Sequence, residues 1–213
     1  MARIKNGILG GFSGRIGPVE GYIRKGVACI RSKKRKANGP VTKGQAANRS
    51  RMSVVNAFID TMTEFVRMGF TPSTKDKNFT ANNAAKGYQM DHALEGEFPD
   101  LKINYAAVQL SQGKLQMPLE PQVNVDQEGL LFSWQVDPHA SYQNRRAQAM
   151  VLVYCPELHE SCYSLTGARR TSCEELLLLP VELKGMELHA YLAFVSDDRN
   201  QVSNTTYLGN IIF

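Results

Sequence analysis

The sequence lacks any long apolar run. No stretch of about eighteen consecutive apolar residues, the length that a membrane-spanning helix requires, occurs among the 213 residues. The N-terminus is interrupted by glycines and lacks the continuous apolar segment of a secretory signal. We therefore expect a chain that does not insert into a membrane. It would reside in the cytoplasm or in a virus-like or filamentous assembly.

Cysteine and histidine residues are scarce and widely spaced. The four cysteines form no CxxC pair, which favours idle thiols in a reducing compartment, although a Cys155–Cys162 bridge across a hairpin is conceivable. Cys155, His159 and Cys162 come closest to a zinc-binding set, but they lack a fourth ligand. We therefore expect no bound metal and no cofactor.

Motifs for nucleotide binding and for hydrolysis are missing as well. The glycine-rich segment 11–17 lacks the Lys-Ser/Thr pair of a phosphate-binding loop and is followed by Pro18. No GxSxG nucleophile elbow occurs. The acidic pairs Glu174-Glu175 and Asp197-Asp198 do not have EF-hand spacing. We therefore expect no catalytic residues and no enzymatic activity.

Positive charge is concentrated at the N-terminal end. Residues 1–52 contain thirteen Lys or Arg and one acid, Glu20, whereas the remaining residues contain twelve Lys or Arg and nineteen Asp or Glu. The chain as a whole carries a net charge of +5. This asymmetry predicts that the N-terminal segment binds an acidic surface. That surface could be a nucleic acid or the acidic remainder of another copy.

Three regions follow from the pattern of residues. Residues 1–41 are predicted to be a basic, glycine-rich arm with a β-hairpin whose strands are Val19–Ile23 and Val27–Arg31. Residues 42–118 are predicted to hold one or two helices and short strands. One helix spans about 43–68, with Gly69 as its C-cap and Pro72 preventing continuation. A second spans about 80–94, and the short strands lie between 101 and 117.

Residues 119–213 show short strands with a turn every eight to twelve residues, which is typical of a β-sandwich. Seven strands are predicted, with Trp134 in the core: 123–126, 130–136, 147–155, 161–165, 175–179, 187–196 and 205–212. The predicted fold class is therefore α+β, mainly β. It combines the N-terminal arm, the helices and a C-terminal seven-stranded sandwich.

Two resemblances support this organisation. The order of LLFSWQV, AMVLVYC and ELHAYLAFVSDDRNQVS resembles a fibronectin type III-like or immunoglobulin-like module over residues 121–213. The segments GILGGFSGRIGPVEGYIRKGVACIRS, TKGQAANRSRMSVVNAFI and AYLAFVSDDRNQVSNTTYLGNI together resemble an uncharacterised protein family of Bacteroidota. The second resemblance implies a bacterial source and supplies no functional residues.

Two functional hypotheses follow, and both use the basic N-terminal segment. In the first, the protein is a self-assembling structural or interaction protein, a homo-oligomer whose arm docks on a neighbouring subunit. In the second, the segment 24–51 binds nucleic acid without sequence preference. The candidate contacts in both are basic residues: Arg24, Lys25, Arg31, Lys33, Lys34, Arg35, Lys36, Lys43, Arg49 and Arg51. A third hypothesis is a hydrolase or a sugar-binding sandwich, and for sugar binding the platform would be formed by Tyr142, Tyr163 and Tyr207.

Overall fold

The computed structural model describes residues 2–4, 7, 10–33 and 39–213. This part of the chain divides into two compact units, Met1–Thr42 and Lys43–Phe213. The three-part division predicted from the sequence, with boundaries after residues 41 and 118, stays a prediction. Among the described residues, no helix is both long enough and apolar enough to cross a membrane.

The first unit is an antiparallel sheet, called here the N-terminal sheet. Its described strands lie in chain order across the sheet: β1 (Arg3–Ile4), β2 (Phe12–Ile16), β3 (Val19–Arg24) and β4 (Val27–Ser32). Strands β3 and β4 form the hairpin that the sequence predicts. The structure extends this hairpin into a larger sheet by pairing β2 with β3 and β1 with β2.

The second unit begins with helices α1 (Lys43–Asp60), α2 (Thr63–Thr74) and α3 (Ala81–His92). The single helix predicted for 43–68 is therefore wrong, because the chain breaks after Asp60. At the break, Ser161 Oγ donates a hydrogen bond to the Thr61 carbonyl oxygen at 2.7 Å. Met62 is fully buried there. The apolar spacing continues through both helices, so it gives no sign of the break.

Gly69 and Pro72 do not end the helix, contrary to the prediction. Pro72 lies in the last turn of α2, where it removes one backbone hydrogen bond. Thr74 Oγ1 donates to the Phe70 carbonyl at 3.1 Å, which helps to satisfy this turn. Gly69 lies inside the helix, and a Cβ atom there would stand 2.3 Å from the Leu110 carbonyl oxygen. Gly69 therefore allows α2 to pack closely against Leu110 and does not act as a C-cap.

The second predicted helix is confirmed. Thr80 caps α3, because its Oγ1 accepts a hydrogen bond from the Asn83 amide at 3.2 Å. The short strands that follow are fewer than predicted: in residues 93–118, all described, only β5 (Leu94–Glu95) and β6 (Lys102–Ile103) form. Tyr105–Ala107 is one turn of 3-10 helix, because the Asn104 side chain accepts from the Ala106 amide at 3.0 Å and favours a turn.

Residues 119–213, all described, form the seven predicted strands in two antiparallel sheets. The outer sheet has the order β11-β8-β7, and the helix-side sheet has the order β10-β9-β12-β13. A short helix, α4 (Tyr142–Arg146), precedes β9. The strand bounds are β7 (Leu119–Val125), β8 (Gly129–Gln135), β9 (Gln148–Cys155), β10 (Glu160–Ser164), β11 (Glu174–Leu178), β12 (Glu187–Val195) and β13 (Thr206–Ile212). Most bounds lie within a residue or two of the prediction, and β7 begins four residues earlier.

The two central strands of the helix-side sheet, β9 and β12, are buried on both faces. One face packs against the helices through Leu152 and Tyr191, while the other packs against the outer sheet through Val151 and Leu192. A strand buried on both sides needs no polar alternation, and this accounts for the nearly continuous apolar runs of β9 and β12. Trp134 lies in the core between the two sheets, as predicted. The fold class, α+β and mainly β, is confirmed.

Candidate interaction surface

The hairpin of the N-terminal sheet closes with a two-residue turn. Lys25 and Gly26 both have positive φ, 49° and 81°, as a type I′ turn requires. Arg24 and Val27 face each other across this turn, followed by Ile23 with Ala28 and Gly21 with Ile30. Because directly opposed residues share a face of a sheet, this register fixes the face on which each side chain lies.

One face of the N-terminal sheet is apolar. Its apolar side chains are, strand by strand, Ile4, Phe12, Ile16, Val19, Ile23, Ala28 and Ile30, and Ser32 shares the face opposite Val19. The four isoleucines are about half exposed or more, with Ile23 at 57% and Ile30 at 68%. Monomeric proteins rarely expose several large aliphatic side chains side by side. We call these seven residues the apolar face.

Phe12 covers part of the apolar face. A Cβ atom on Gly21 would stand 2.4 Å from the Phe12 carbonyl oxygen and 2.6 Å from its ring. A Cβ on Gly11 would stand 2.4 Å from Ala28 Cβ. These two glycines therefore let the chain around β2 bend over the hairpin. The isoleucines lie around this crossing and stay open.

The opposite face of the sheet is cationic. It carries Arg3, Arg15, Arg24 and Arg31, and we call these four arginines the cationic face. Val27, which lies opposite Arg24, is an exposed apolar residue on the same side. Glu20 lies on the same side and forms an ion pair with Arg31 at 2.9 Å. The Arg31 guanidinium also lies 5.2 Å from the centre of the Tyr22 ring. Arg24 and Arg15 are exposed, so their charge is available to a partner.

The predicted contact residues fall in different places. Lys25 lies in the hairpin turn, and Lys33 is exposed just after β4. Lys34, Arg35 and Lys36 lie outside the described residues. The three remaining predicted contacts lie on α1 of the second unit: Lys43, Arg49 and Arg51. The structure thus does not bring all ten residues together on one element.

Arg51 differs from the other basic residues of α1. Its Nη2 donates to the Met90 carbonyl oxygen at 2.6 Å, and its side chain is partly buried. Lys43 and Arg49 are exposed. A guanidinium that already bonds a backbone carbonyl holds two helices together and has fewer free donors for a partner.

The three tyrosines considered for sugar binding do not meet. Tyr142 is exposed and lies under the Arg146 guanidinium, 5.5 Å from it. Tyr163 packs edge-on against Phe65 at 6.1 Å. Tyr207 contacts His189 in a separate cluster. A sugar platform needs neighbouring ring faces, and these rings lie on α4, β10 and β13.

A cluster of tyrosines and a histidine lies on the helix-side sheet. The His189 ring stacks on Tyr105 with centroids 3.9 Å apart, and its Nδ1 lies 2.9 Å from the Tyr207 hydroxyl. Burial lowers the pKa of His189 and raises the pKa of Tyr154 to about 12. A phenol with a raised pKa is a weaker acid and stays protonated at neutral pH, far from the range suited to proton transfer there. We therefore assign this cluster to packing.

The candidate metal and acid clusters are also dispersed. Cys155 is buried in the sandwich core, whereas His159 Nδ1 lies 3.2 Å from the Tyr154 hydroxyl. Asp197 pairs with Arg146 at 2.6 Å. Within the described residues, no group of three or more His, Cys, Asp or Glu side chains is placed to hold a metal ion. All four cysteines, each of them described, are free thiols.

A groove of about 460 Å³ lies at the C-terminal end of α2. Its lining includes Lys77, Gln112, Lys114, Asn200 and Gln201. These side chains are amides and amines. None of the residues that line the groove, all of them described, is an acid or a histidine, so the lining offers no acid–base pair.

Comparison with known proteins gives a family for the chain. The model of a family described as "Family of unknown function (DUF6266)" matches residues 11–209. The chain belongs to DUF6266. This match confirms the predicted membership of an uncharacterised family. The span shared with DUF6266 begins beside β2 and ends within β13, so it includes most of both units. No curated protein matches the chain significantly.

Proposed function

We propose that this DUF6266 protein is a non-enzymatic interaction protein that self-assembles, and that its N-terminal sheet attaches one copy to the next. The exposed apolar face is the observation that carries this proposal. Complete burial of an isoleucine contributes ~1.5–3 kcal/mol. Since the four isoleucines are about half exposed, covering all of them would contribute about 3–6 kcal/mol.

Such a contribution does not by itself make a stable complex. Association costs about 4–15 kcal/mol in lost translational and rotational freedom. The apolar face therefore needs a partner surface that supplies further apolar contact. Another copy of the chain is a suitable partner, because the strongly basic segment 1–52 and the acidic remainder attract each other between copies.

Light scattering coupled to size-exclusion chromatography tests the proposal. The wild-type protein is expected to elute as an oligomer whose mass rises with concentration. The double variant Ile23→Thr/Ile30→Thr keeps β-branched side chains but loses apolar surface, and it is expected to be monomeric. Arg15→Gln/Arg24→Gln is the matched control on the opposite face, and it is expected to stay oligomeric at equilibrium because charges outside the contact act mainly on the rate of association. A wild-type protein that stays monomeric at high concentration would reject the proposal.

Sequence-independent nucleic-acid binding is the second candidate, and the cationic face supports it. Four arginines share that face, and the isoleucines lie on the other. Phosphate binding by such a face releases counterions, so affinity falls steeply as salt rises. The adjacent basic residues from Lys33 to Lys36 would add phosphate contacts within segment 24–51.

Fluorescence anisotropy with unrelated DNA and RNA oligonucleotides separates the two candidates. Arg15→Gln/Arg24→Gln is expected to weaken binding and to reduce its salt dependence by about two counterion contacts. The Ile23→Thr/Ile30→Thr variant should bind as the wild type does. Binding that the arginine variant leaves unchanged would argue against a role for this face.

The proposal also includes the resemblance of the sandwich to a fibronectin type III-like module and the bacterial source. We infer that residues 119–213 are fibronectin type III-like. The first, second and fifth of their seven strands share the outer sheet, while the other four share the helix-side sheet; this division supports the inference. A Bacteroidota source rests on the sequence resemblance alone. We also propose that the protein resides in the cytoplasm, as its sequence leads us to expect, or in a shell, tube or filament that the proposed assembly would form.

A further inference from the structure

We propose that the outer face of the outer sheet is the acceptor for the N-terminal sheet of a second copy, so that copies join head to tail. This inference rests on the proposed self-assembly and adds the second surface that such a contact requires. The contact with the second copy would then lie on strands β8 and β11.

Leucines cover the centre of this surface. Leu176 of β11 lies directly opposite Leu131 of β8, and Leu178 lies opposite Gly129. Side chains of alternate residues share a face, so Leu131, Leu176 and Leu178 point away from the sandwich core. Leu178 is 62% exposed. These three leucines form what we call the leucine patch.

The leucine patch lies at an edge of the sheet. Strand β11 is the last strand of the order β11-β8-β7, and its sequence is EELLL. Soluble proteins usually protect such edges with lysine, proline or a bulge. Within β11, which is entirely described, none of these occurs. Strand β11 instead carries two acids, Glu174 and Glu175, at its N-terminal end. The exposed leucines that follow are typical of a surface that a partner covers.

The two segments that contain the strands of the outer sheet carry charge of one sign. Segments 119–135 and 171–183 contain no Lys or Arg. They contain six acids: Glu120, Asp126, Glu128, Glu174, Glu175 and Glu182. Five of these are exposed, and Glu175 instead accepts a hydrogen bond from the Ala168 amide at 2.6 Å. The leucine patch is therefore an apolar surface with an acidic border.

This border decides which surface of a second copy can occupy the patch. Two leucine patches would bring acids against acids, and two N-terminal sheets would bring two basic segments close together with no acidic surface between them. Like charges opposed across an interface are unfavourable. A basic N-terminal sheet on an acidic leucine patch avoids both. The contact is then heterologous, and heterologous contacts produce rings or open filaments.

The cations act mainly on the rate of association. The arginines of the cationic face lie on the far side of the N-terminal sheet from the isoleucines, so they would not pair with acids inside the contact. Their field reaches across the thin sheet at low salt, where the screening length exceeds about 10 Å. Association is therefore expected to slow as salt rises, with a smaller effect on dissociation.

A mixing experiment tests the acceptor. Leu176→Thr/Leu178→Thr is expected to weaken assembly roughly ten- to one-hundred-fold, because its two partly exposed leucines together amount to about one buried side chain. Ile212→Thr is the matched control, since Ile212 is 71% exposed on β13. The Ile23→Thr/Ile30→Thr and Leu176→Thr/Leu178→Thr variants should each be monomeric. When mixed, they should form a dimer through the one intact contact.

The outcomes separate this inference from the proposed function. A monomeric wild-type protein overturns both. A wild-type oligomer that Ile23→Thr/Ile30→Thr dissociates but Leu176→Thr/Leu178→Thr leaves intact overturns the acceptor alone. Should the leucine variant not fold, as judged by circular dichroism, Glu128→Lys/Glu174→Lys replaces it. Association of that charge-reversed variant should be at least tenfold slower at low salt, and an unchanged rate overturns the acceptor.

Discussion

Substituting alanine at Gly69 and at Gly87 should change stability in opposite directions. Both glycines lie inside helices of the second unit, Gly69 in α2 and Gly87 in α3. Alanine is favoured over glycine by about 1 kcal/mol in a helix interior. At Gly87 nothing lies within 4 Å of the added Cβ, so Gly87→Ala is expected to stabilise the unit by about 0.5–1 kcal/mol.

At Gly69 packing outweighs this gain. The added Cβ would stand 2.3 Å from the Leu110 carbonyl oxygen and 2.8 Å from Ser111 Cα, which are backbone atoms that cannot rotate away. The Gln112 amide also donates to the Gly69 carbonyl oxygen at 3.0 Å, and a shift would strain that bond. Overpacking costs about 1–3 kcal/mol, and the strained hydrogen bond about 1 kcal/mol more. We expect Gly69→Ala to destabilise by about 1–3 kcal/mol after the helix gain.

Thermal unfolding followed by circular dichroism measures both changes. For a unit of this size, 1 kcal/mol shifts Tm by roughly 2–4 °C. Gly87→Ala should therefore melt about 1–4 °C above the wild type, and Gly69→Ala roughly 2–12 °C below it. If Gly69→Ala melts at or above the wild-type temperature, the result would contradict the close packing of α2 against residues 110 and 111.

Two further predictions concern buried polar groups. Burial lowers the pKa of His189, so below about pH 6.5 the unfolded chain binds more protons than the folded one. Stability should then fall as pH decreases through this range, and His189→Gln should show a flatter dependence of Tm on pH. Trp134 Nε1 donates to the Arg170 carbonyl oxygen at 2.7 Å in the core. Trp134→Phe removes this bond and leaves the oxygen with the 3.3 Å hydrogen bond from the Cys173 amide. The loss should cost about 0.5–1.5 kcal/mol in a urea titration, whereas an unchanged midpoint would contradict the hydrogen bond.

The sandwich could be predicted from the sequence because its strands carry local signals. Turn residues separate the strands, and the apolar runs of β9 and β12 have the length of strands buried on both faces. The sheet to which each strand belongs is set by long-range pairing. Strand β9 pairs with β12, more than thirty residues away along the chain, and no local pattern encodes that partner.

The helical region shows where local signals are insufficient. The break after Asp60 is held by Ser161, which is 100 residues further along the chain. Gly69 has the position of a C-cap, but its role depends on Leu110 and Ser111. In both cases the deciding contact comes from a distant segment. Periodicity and capping rules describe only the helix itself.

The candidate interaction surface could be predicted in part from the sequence. The excess of positive charge in residues 1–52 identifies the segment. Composition alone does not separate the apolar residues of this segment from its basic residues. In β3, Val19, Gly21 and Ile23 alternate with Glu20, Tyr22 and Arg24, so strand geometry sends isoleucine and arginine to opposite faces. Pairing with β2 then adds Ile16 to one face and Arg15 to the other. Self-assembly and nucleic-acid binding therefore need not compete for the same residues, and variants on either face can test each one separately.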